Sequence, residues 1–288
     1  MNLIKERVRE FYNRTPFPDY ELERFPTREA LTARAYSFAK VLDRSIPVQA
    51  SILDAGTGTG QLSTFLSLRR SCVYGIDFSD SSLNKARALK EQLKLDSLTL
   101  KKVDLLDQRQ IDDIGVKFDY IICVGVLHHT ADPYLGFANL LRLLKPDGYI
   151  AVGLYNTYGR IPLKIRKFLL HYVFRNDERM KEKFIKIQIH DLDDKERVRG
   201  WTNDQYYHPH ESTHSIAEIL RWFKKNNIRF LQTVPSTGEK QNLDLMGVFQ
   251  QEPYPGVLKR FTAQLSWMSE DDPNGGYWIT FGKRDTIK

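Results

Sequence analysis

Cysteine is nearly missing from this chain. Only Cys72 and Cys123 occur in 288 residues, and both fall inside apolar runs that predict strands. Two buried thiols in a reducing compartment fit that usage; a disulfide framework does not. No Cys/His spacing of the metal-site type is present. No apolar run of about 18 residues exists, so no membrane-spanning helix is expected. The opening Met1–Arg7 is charged and amphipathic, unlike a secretory signal. Internal repeats, low-complexity tracts, zinc-finger spacing and the aromatic signature of RNA-binding sheets are also absent. These absences leave a cytoplasmic protein, 41% hydrophobic, able to bury one large core. Its net charge of +7 is spread over many segments. An ordinary lysine-rich surface accounts for that as well as anionic partners do.

The most informative stretch is Asp54-Ala55-Gly56-Thr57-Gly58-Thr59-Gly60. It follows the apolar run Ser51–Leu53 and precedes the helix-like run Gln61–Leu66. A strand, a glycine turn and a helix in that order bring backbone N–H groups against a nucleotide-like ligand. A second acidic residue, Asp77, ends the next apolar run, 21 residues beyond Gly56. That spacing suits a carboxylate reaching ribose hydroxyls. The glycines read G-x-G-x-G, not the G-x-G-x-x-G of a pyrophosphate turn. Asp54 would repel a pyrophosphate but suit a ligand that carries an ammonium group.

At these residues the chain resembles the class I S-adenosylmethionine-dependent methyltransferases. The resemblance covers residues 50–155 well and the rest loosely. Val103-Asp104-Leu105 is similar to the acidic position after the third strand, which contacts adenine. Phe118–Pro133, with Leu127-His128-His129-Thr130, is similar to the fourth strand and the loop under the active site. Leu141–Ile150 is similar to the following helix, turn and fifth strand, with Asp147-Gly148 where the family usually has two glycines; both residue types tolerate positive φ. The resemblance implies an α/β fold, a doubly wound, seven-stranded Rossmann-like sheet with the last strand antiparallel. It also implies S-adenosylmethionine as cofactor, held by Asp54, Gly56, Thr57, Gly58 and Gly60 at the first strand, Asp77 and Phe78 at the second, and Asp104, Leu105 and Val124 beyond.

Residues 1–45 read as N-terminal helices and a lid, and 46–288 as the methyltransferase domain. Asn2–Asn13 has an apolar face of Leu3, Val8, Phe11 and Tyr12. Prolines at 16 and 18 end it. The aromatic segment 11–20 is either a lid over the ligand or an arm packed on the domain; as a lid it offers Tyr12, Asn13, Arg14 and Tyr20 to the substrate. Arg28–Asp43 predicts one further helix. Strand and helix patterns then alternate, and Asp54, Asp77, Asp104, Gly125 and Tyr155 all fall at predicted strand ends, where such sheets bind ligands.

Residues 156–212 interrupt that rhythm and read as an insertion capping the substrate pocket. Ile161–Phe174 is apolar with Lys164, Arg166 and Lys167, the composition of a cap helix or of an interfacial membrane helix. Tyr206, Tyr207, His208, His210 and His214 cluster in sequence. No acidic or cysteine partner of recognisable spacing joins them as metal ligands; Tyr207 and His208 stand as substrate contacts. Ser215–Glu218 is a capping box before the next helix. Turns are expected at 235–238 and 271–276, with a helix over 258–268 between them.

A sulfonium methyl is already activated, so the protein must align a nucleophile and exclude water. Candidates for proton abstraction are His128 and His129, with a structural role for both as the alternative. Tyr155 and Asn156 are placed to orient an acceptor. The chain lacks the Asn/Asp-Pro-Pro-Tyr/Phe motif of exocyclic amino methylation, and neither cysteine sits as a C5 nucleophile. The expectation is methyl transfer to a small or lipid-like acceptor at O, N or C, with peripheral membrane contact open. RNA or protein acceptors, a non-catalytic S-adenosylmethionine-binding module and a nicotinamide enzyme are the alternatives.

Overall fold

A computed structural model of the chain describes residues 2–173, 177, 179–181, 183, 200, 202–237, 247–268 and 276–286. The expected turn at 271–276, apart from Gly276, and much of the insertion, including Trp201, lie outside them.

Seven strands form one sheet: β1 (Ile52–Ala55), β2 (Val73–Asp77), β3 (Leu98–Lys102), β4 (Phe118–Val124), β5 (Leu144–Tyr155), β6 (Ile228–Val234) and β7 (Tyr277–Arg284). Their spatial order is β3-β2-β1-β4-β5-β7-β6. The first five are parallel, and β7 inserts antiparallel between β5 and β6. From β1 the chain winds outward to β3, then returns to β4 and winds the other way. The reversal leaves a crevice beyond the carboxyl ends of β1 and β4, the usual ligand position in such sheets.

Parallel strands covered on both faces need continuous apolar runs. Ile52, Leu53, Ile121, Ile122 and Cys123 have no exposed surface. Helices α2 (Arg28–Arg34), α3 (Ser37–Ser45), α4 (Gln61–Ser67) and α5 (Asp80–Leu93) cover one face, where Leu31, Leu42, Leu66 and Leu89 share a core. On the other face lie α6 (Gln108–Asp112), α7 (Pro133–Leu141) and α9 (Ile216–Lys225), which bury Ile111, Phe137 and Phe223. The helices start where the sequence supplies caps. Ser79, Asp132 and Ser215 each accept a hydrogen bond from the backbone N–H three residues on. Helices α1 (Asn2–Arg14), α8 (Ile161–Phe168) and α10 (Val257–Ser266) lie outside this frame.

Three elements depart from expectation. The helix expected over Arg28–Asp43 is two helices, broken at Ala35 (φ −61°, ψ 132°); the break lets Tyr36 reach the central cavity. The helix expected over Ile161–Phe174 ends at Phe168 and continues as one π turn, Leu169–Val173. Strand β5 begins at Leu144 and bulges before Tyr149, with Asp147 at φ 58°, so Asp147 does occupy a left-handed position. Among the described residues, no helix is long and apolar enough to cross a membrane.

The insertion leaves and rejoins the core at one point. Asn156 and His214 form a parallel bridge, with Thr157 N–H donating to the His214 carbonyl (3.0 Å) and His214 N–H to that of Tyr155 (2.9 Å).

Candidate functional site

A cavity of about 820 Å³ opens at the carboxyl ends of the strands, within the size range of cofactor and substrate sites. Asp54, Asp77, Asp104, Gly125 and Tyr155 all line it, so five strand ends converge there.

The glycine turn forms the first wall. Gly56, Gly58 and Gly60 all have positive φ (76°, 54° and 81°), which glycine adopts without a Cβ clash. A Cβ on Gly58 would lie 2.3 Å from the Phe17 carbonyl oxygen, so the arm rests directly on this turn. Gly60 does not line the cavity; it caps α4. Asp77 accepts from Gly58 N–H and Ser79 N–H, both at 2.9 Å. The turn therefore aims an amide at a carboxylate, not at a phosphate. Asp54 accepts from the Thr57 hydroxyl (2.7 Å), and burial raises its carboxyl to about 6 despite that bond. Asp104 accepts from Leu106 N–H (2.9 Å) and pairs with Lys5 of α1. Thr57, Phe78, Leu105 and Val124 complete this half.

The N-terminal segment covers the site. Tyr20 is buried, lines the cavity and donates to the Thr59 carbonyl (2.6 Å). Thr59 donates back to the Pro18 carbonyl (2.7 Å). Tyr12 faces inward; Asn13 instead accepts from the Ser79 hydroxyl (2.9 Å), and Arg14 pairs with Glu10 on the exposed side of α1. A helix presents only one stripe to a neighbour, which places Tyr12 inside and its two successors elsewhere.

The other half holds a buried polar cluster. His129 lines the cavity; His128 does not, and its ring is packed against His129 and Tyr155. Burial, and then the charge of its neighbours, keeps His128 well below the usual histidine range, and neither ring nitrogen has a partner among the described residues. It is therefore a neutral packing group, not the base expected as one of two candidates. His129 Nδ1 donates to the His210 carbonyl (3.0 Å), because a carbonyl can only accept. Burial holds His129 at about 4, so its ring is neutral at physiological pH and Nε2 carries a bare lone pair. That nitrogen faces Asp204 Oδ1 at 3.7 Å.

Asp204 came with no signal of its own in the sequence, yet it organises this wall. It accepts from Tyr12 (3.3 Å), Tyr155 (3.1 Å) and Gln205 (3.1 Å). Gln205 also donates to the Tyr155 hydroxyl (2.8 Å). Behind them Arg160, fully buried, makes a two-pronged pair with Glu211 (2.8 and 2.5 Å), donates to Gln205 Oε1 (2.5 Å) and lies 3.5 Å over the Tyr155 ring. Burial raises Glu211, but the Arg160 and Lys167 charges outweigh it and hold it at about 2. This ion pair ties the returning insertion to the end of β5.

The remaining expected contacts are placed elsewhere. Asn156 is buried outside the cavity; it donates to Gln264 (3.0 Å) and accepts from Tyr158 and Gly159 N–H (3.0 and 3.1 Å). Tyr207 is exposed and does not line the cavity. His208 stacks behind His129 at 3.7 Å between ring centroids. Tyr36, Tyr277 and Arg166 line the cavity without having been expected. The Tyr277 hydroxyl is buried with no partner among the described residues.

Ligating atoms of His129, Asp204 and His208 lie within 4.8 Å of one another. The tautomers decide how this trio can be used. His208 Nδ1 accepts from His210 N–H (3.2 Å), which puts the ring proton of neutral His208 on Nε2. That nitrogen is then a donor, not a metal ligand.

A family model described as a methyltransferase domain (Methyltransf_31) matches residues 48–227, well over half of the chain. The chain belongs to this methyltransferase family. It is 29% identical over 200 residues to an uncharacterised protein of Synechococcus sp., a match covering 62% of this chain and 47% of that one. It is 30% identical over 111 residues to the ubiquinone biosynthesis O-methyltransferase of Coxiella burnetii, covering 38% and 45%. The chain thus spans under half the length of these curated relatives. The fold matches magnesium protoporphyrin IX methyltransferase of Synechocystis with bound S-adenosylhomocysteine, at a TM-score of 0.55, 16% identity and 98% and 100% coverage. Its cofactor is S-adenosylmethionine. The site suits that group: a carboxylate beside the glycine turn for an ammonium, Asp77 for ribose hydroxyls, Asp104 and Phe78 beside an adenine, and, among the described residues, no cradle for phosphates.

Asp54 gives this methyltransferase a pH signature. With its carboxyl raised to about 6 in the free protein, Asp54 takes up a proton as pH falls through that value. A cationic ligand needs the ionised form. Affinity for S-adenosylmethionine should be flat above about pH 7 and fall about tenfold per unit once well below pH 6. Calorimetric titration at pH 5 and 7.5 checks this; equal affinities would remove Asp54 from the ammonium.

Proposed function

We propose that this protein transfers a methyl group from S-adenosylmethionine to a hydroxyl or amine of a small or lipid-like acceptor, with His129 taking the proton. One observation carries the reading. Two acceptor atoms, neutral His129 Nε2 and Asp204 Oδ1, face each other at 3.7 Å in the cavity wall with no hydrogen between them. A group of the type X–H placed there satisfies both. A carbon nucleophile without such a hydrogen gains nothing from them.

Bound S-adenosylmethionine supplies an activated methyl group. The chain supplies position and dryness. Tyr155 keeps its phenolic proton, because burial and then Asp204 raise it well above the usual tyrosine range; it holds Asp204 by donating to Oδ2. The orphan Tyr277 hydroxyl offers a further hydrogen bond to an occupant. Arm residues 17–20 line the cofactor side and Asp204 and Gln205 the acceptor side, and the burial of His129 and Asp204 keeps water scarce beside the nucleophile. The burial of His129 and Asp204 at the inner wall supports an acceptor slim enough to reach them over a folded RNA or protein.

Incubation of cell extract with methyl-labelled S-adenosylmethionine, followed by separation into metabolite, lipid, RNA and protein fractions, tests the reading. Label in the metabolite or lipid fraction is expected. Label confined to RNA or protein would replace it with a macromolecular acceptor.

A further inference from the structure

We propose that the surface made by α8, its π turn and α10 docks on an anionic lipid bilayer. Both segments project the same pattern outward. Ile165, Phe168 and Tyr172 recur at i, i+3 and i+7; Leu258, Phe261 and Leu265 repeat that spacing. All six are exposed, Tyr172 by 72% and Leu258 by 75%. Elsewhere on the fold an amphipathic helix turns its apolar stripe inward, as α9 does with Ile216, Ile219 and Phe223. Here the apolar stripes are left exposed by the described residues.

The two stripes belong to one surface. Tyr158, just before α8, packs edge-on against Phe261 of α10 at 6.1 Å. On the inner side of α10, buried Gln264 accepts from Asn156 (3.0 Å) and from Ile216 N–H (2.9 Å). This amide bonding fixes α10 to the core and leaves the opposite face outward.

Charge selects the occupant. Residues 161–173 and 257–266 contain no acidic side chain, although the whole chain has 36. They carry Lys164, Arg166, Lys167, Lys259 and Arg260. Lys164 and Lys259 are exposed beside the apolar stripes. Aromatic and aliphatic residues on one face, flanked by the exposed Lys164 and Lys259 while Lys167 pairs inward with Glu211, form the pattern of a helix lying in a bilayer interface. A uniformly anionic lipid surface complements a rim of one sign. Arg166 also lines the cavity, so the docking face borders the acceptor site, and a lipid-like acceptor could pass from the bilayer to it. The docking itself does not depend on which acceptor is methylated.

Co-sedimentation of the full chain with phosphatidylcholine vesicles, with and without phosphatidylglycerol, tests this at low and high salt. Binding to the phosphatidylglycerol vesicles is expected, weakened by salt. The pairs Phe168→Ser with Tyr172→Ser, and Leu258→Ser with Phe261→Ser, should each lower partition at least about tenfold, with affinity for S-adenosylmethionine unchanged as proof of folding. Wild-type protein that binds the cofactor but no vesicle would overturn the proposal. So would variants that partition like wild type, or a self-association in sedimentation equilibrium that both pairs abolish, which would make this face a contact between copies. Loss of label transfer with vesicle binding intact would sink the proposed reaction and leave the docking standing.

Discussion

His129→Ala should lower kcat for methyl transfer about 10²–10³-fold while leaving S-adenosylmethionine affinity within about twofold. A positioned general base contributes roughly that much, and His129 belongs to the acceptor wall, not to the glycine turn. Asp204→Asn should cause a comparable loss, because an amide NH₂ can occupy the space where the acceptor's hydrogen belongs. The double variant should be little worse than either single one, since the pair acts on one proton. The pH profile gives an independent check. Burial holds His129 at about 4, so kcat should be level at neutral pH and fall as pH drops through that value. The same shift bears on stability: between about pH 6.5 and 4 the unfolded chain binds the proton that folded His129 refuses, so His129 makes the fold less stable as pH falls through that window. A His129→Ala enzyme with kcat within about threefold of wild type would remove the histidine from the chemistry and leave Tyr155, Tyr277 and Asp204 as positioning groups.

Asp77→Ala should weaken S-adenosylmethionine at least about 100-fold. The carboxylate does two jobs. It anchors the glycine turn through Gly58 N–H and Ser79 N–H, and it faces the cavity at the end of β2. Hydrogen bonds to a charged acceptor contribute about 1.5–3 kcal/mol each, so losing two ribose contacts accounts for two decades or more. Asp77→Asn should rescue little, because one of its two positions becomes a donor facing an N–H. Calorimetric titration with S-adenosylmethionine, S-adenosylhomocysteine and NADH reads the result. Unchanged affinity for both adenosyl ligands would move the ribose away from Asp77, and binding of NADH alone would contradict the cofactor assignment.

The cofactor half of the site was legible in the sequence because its parts are local. Asp54 and the glycines sit within one strand–turn–helix, and Asp77 closes the next strand. A parallel sheet must bring successive strand ends to one edge, so Asp104, Gly125 and Tyr155 follow from topology alone. The acceptor half was not legible in the same way. His128 and His129 are neighbours in a 3₁₀ turn, and nothing in their order says which ring faces the cavity. Asn156 has the polarity and position of a substrate contact, but its partner Gln264 lies 108 residues later and takes it into the structure. Asp204 sits in a polar run with no periodicity; its importance depends on Tyr12, His129 and Tyr155 meeting there.

By itself, then, the sequence determined the class of fold, the strand order's switch point and the family of ligand, since hydrophobic period and turn chemistry act over a few residues. Only the tertiary structure decided which histidine faces the cavity, that a carboxylate from residue 204 joins the same wall, and that two apolar stripes far apart in the chain are both exposed. Those outcomes depend on contacts between segments 49 to 192 residues apart. Such pairings leave no local pattern, because each residue's role comes from a partner that sequence position does not name.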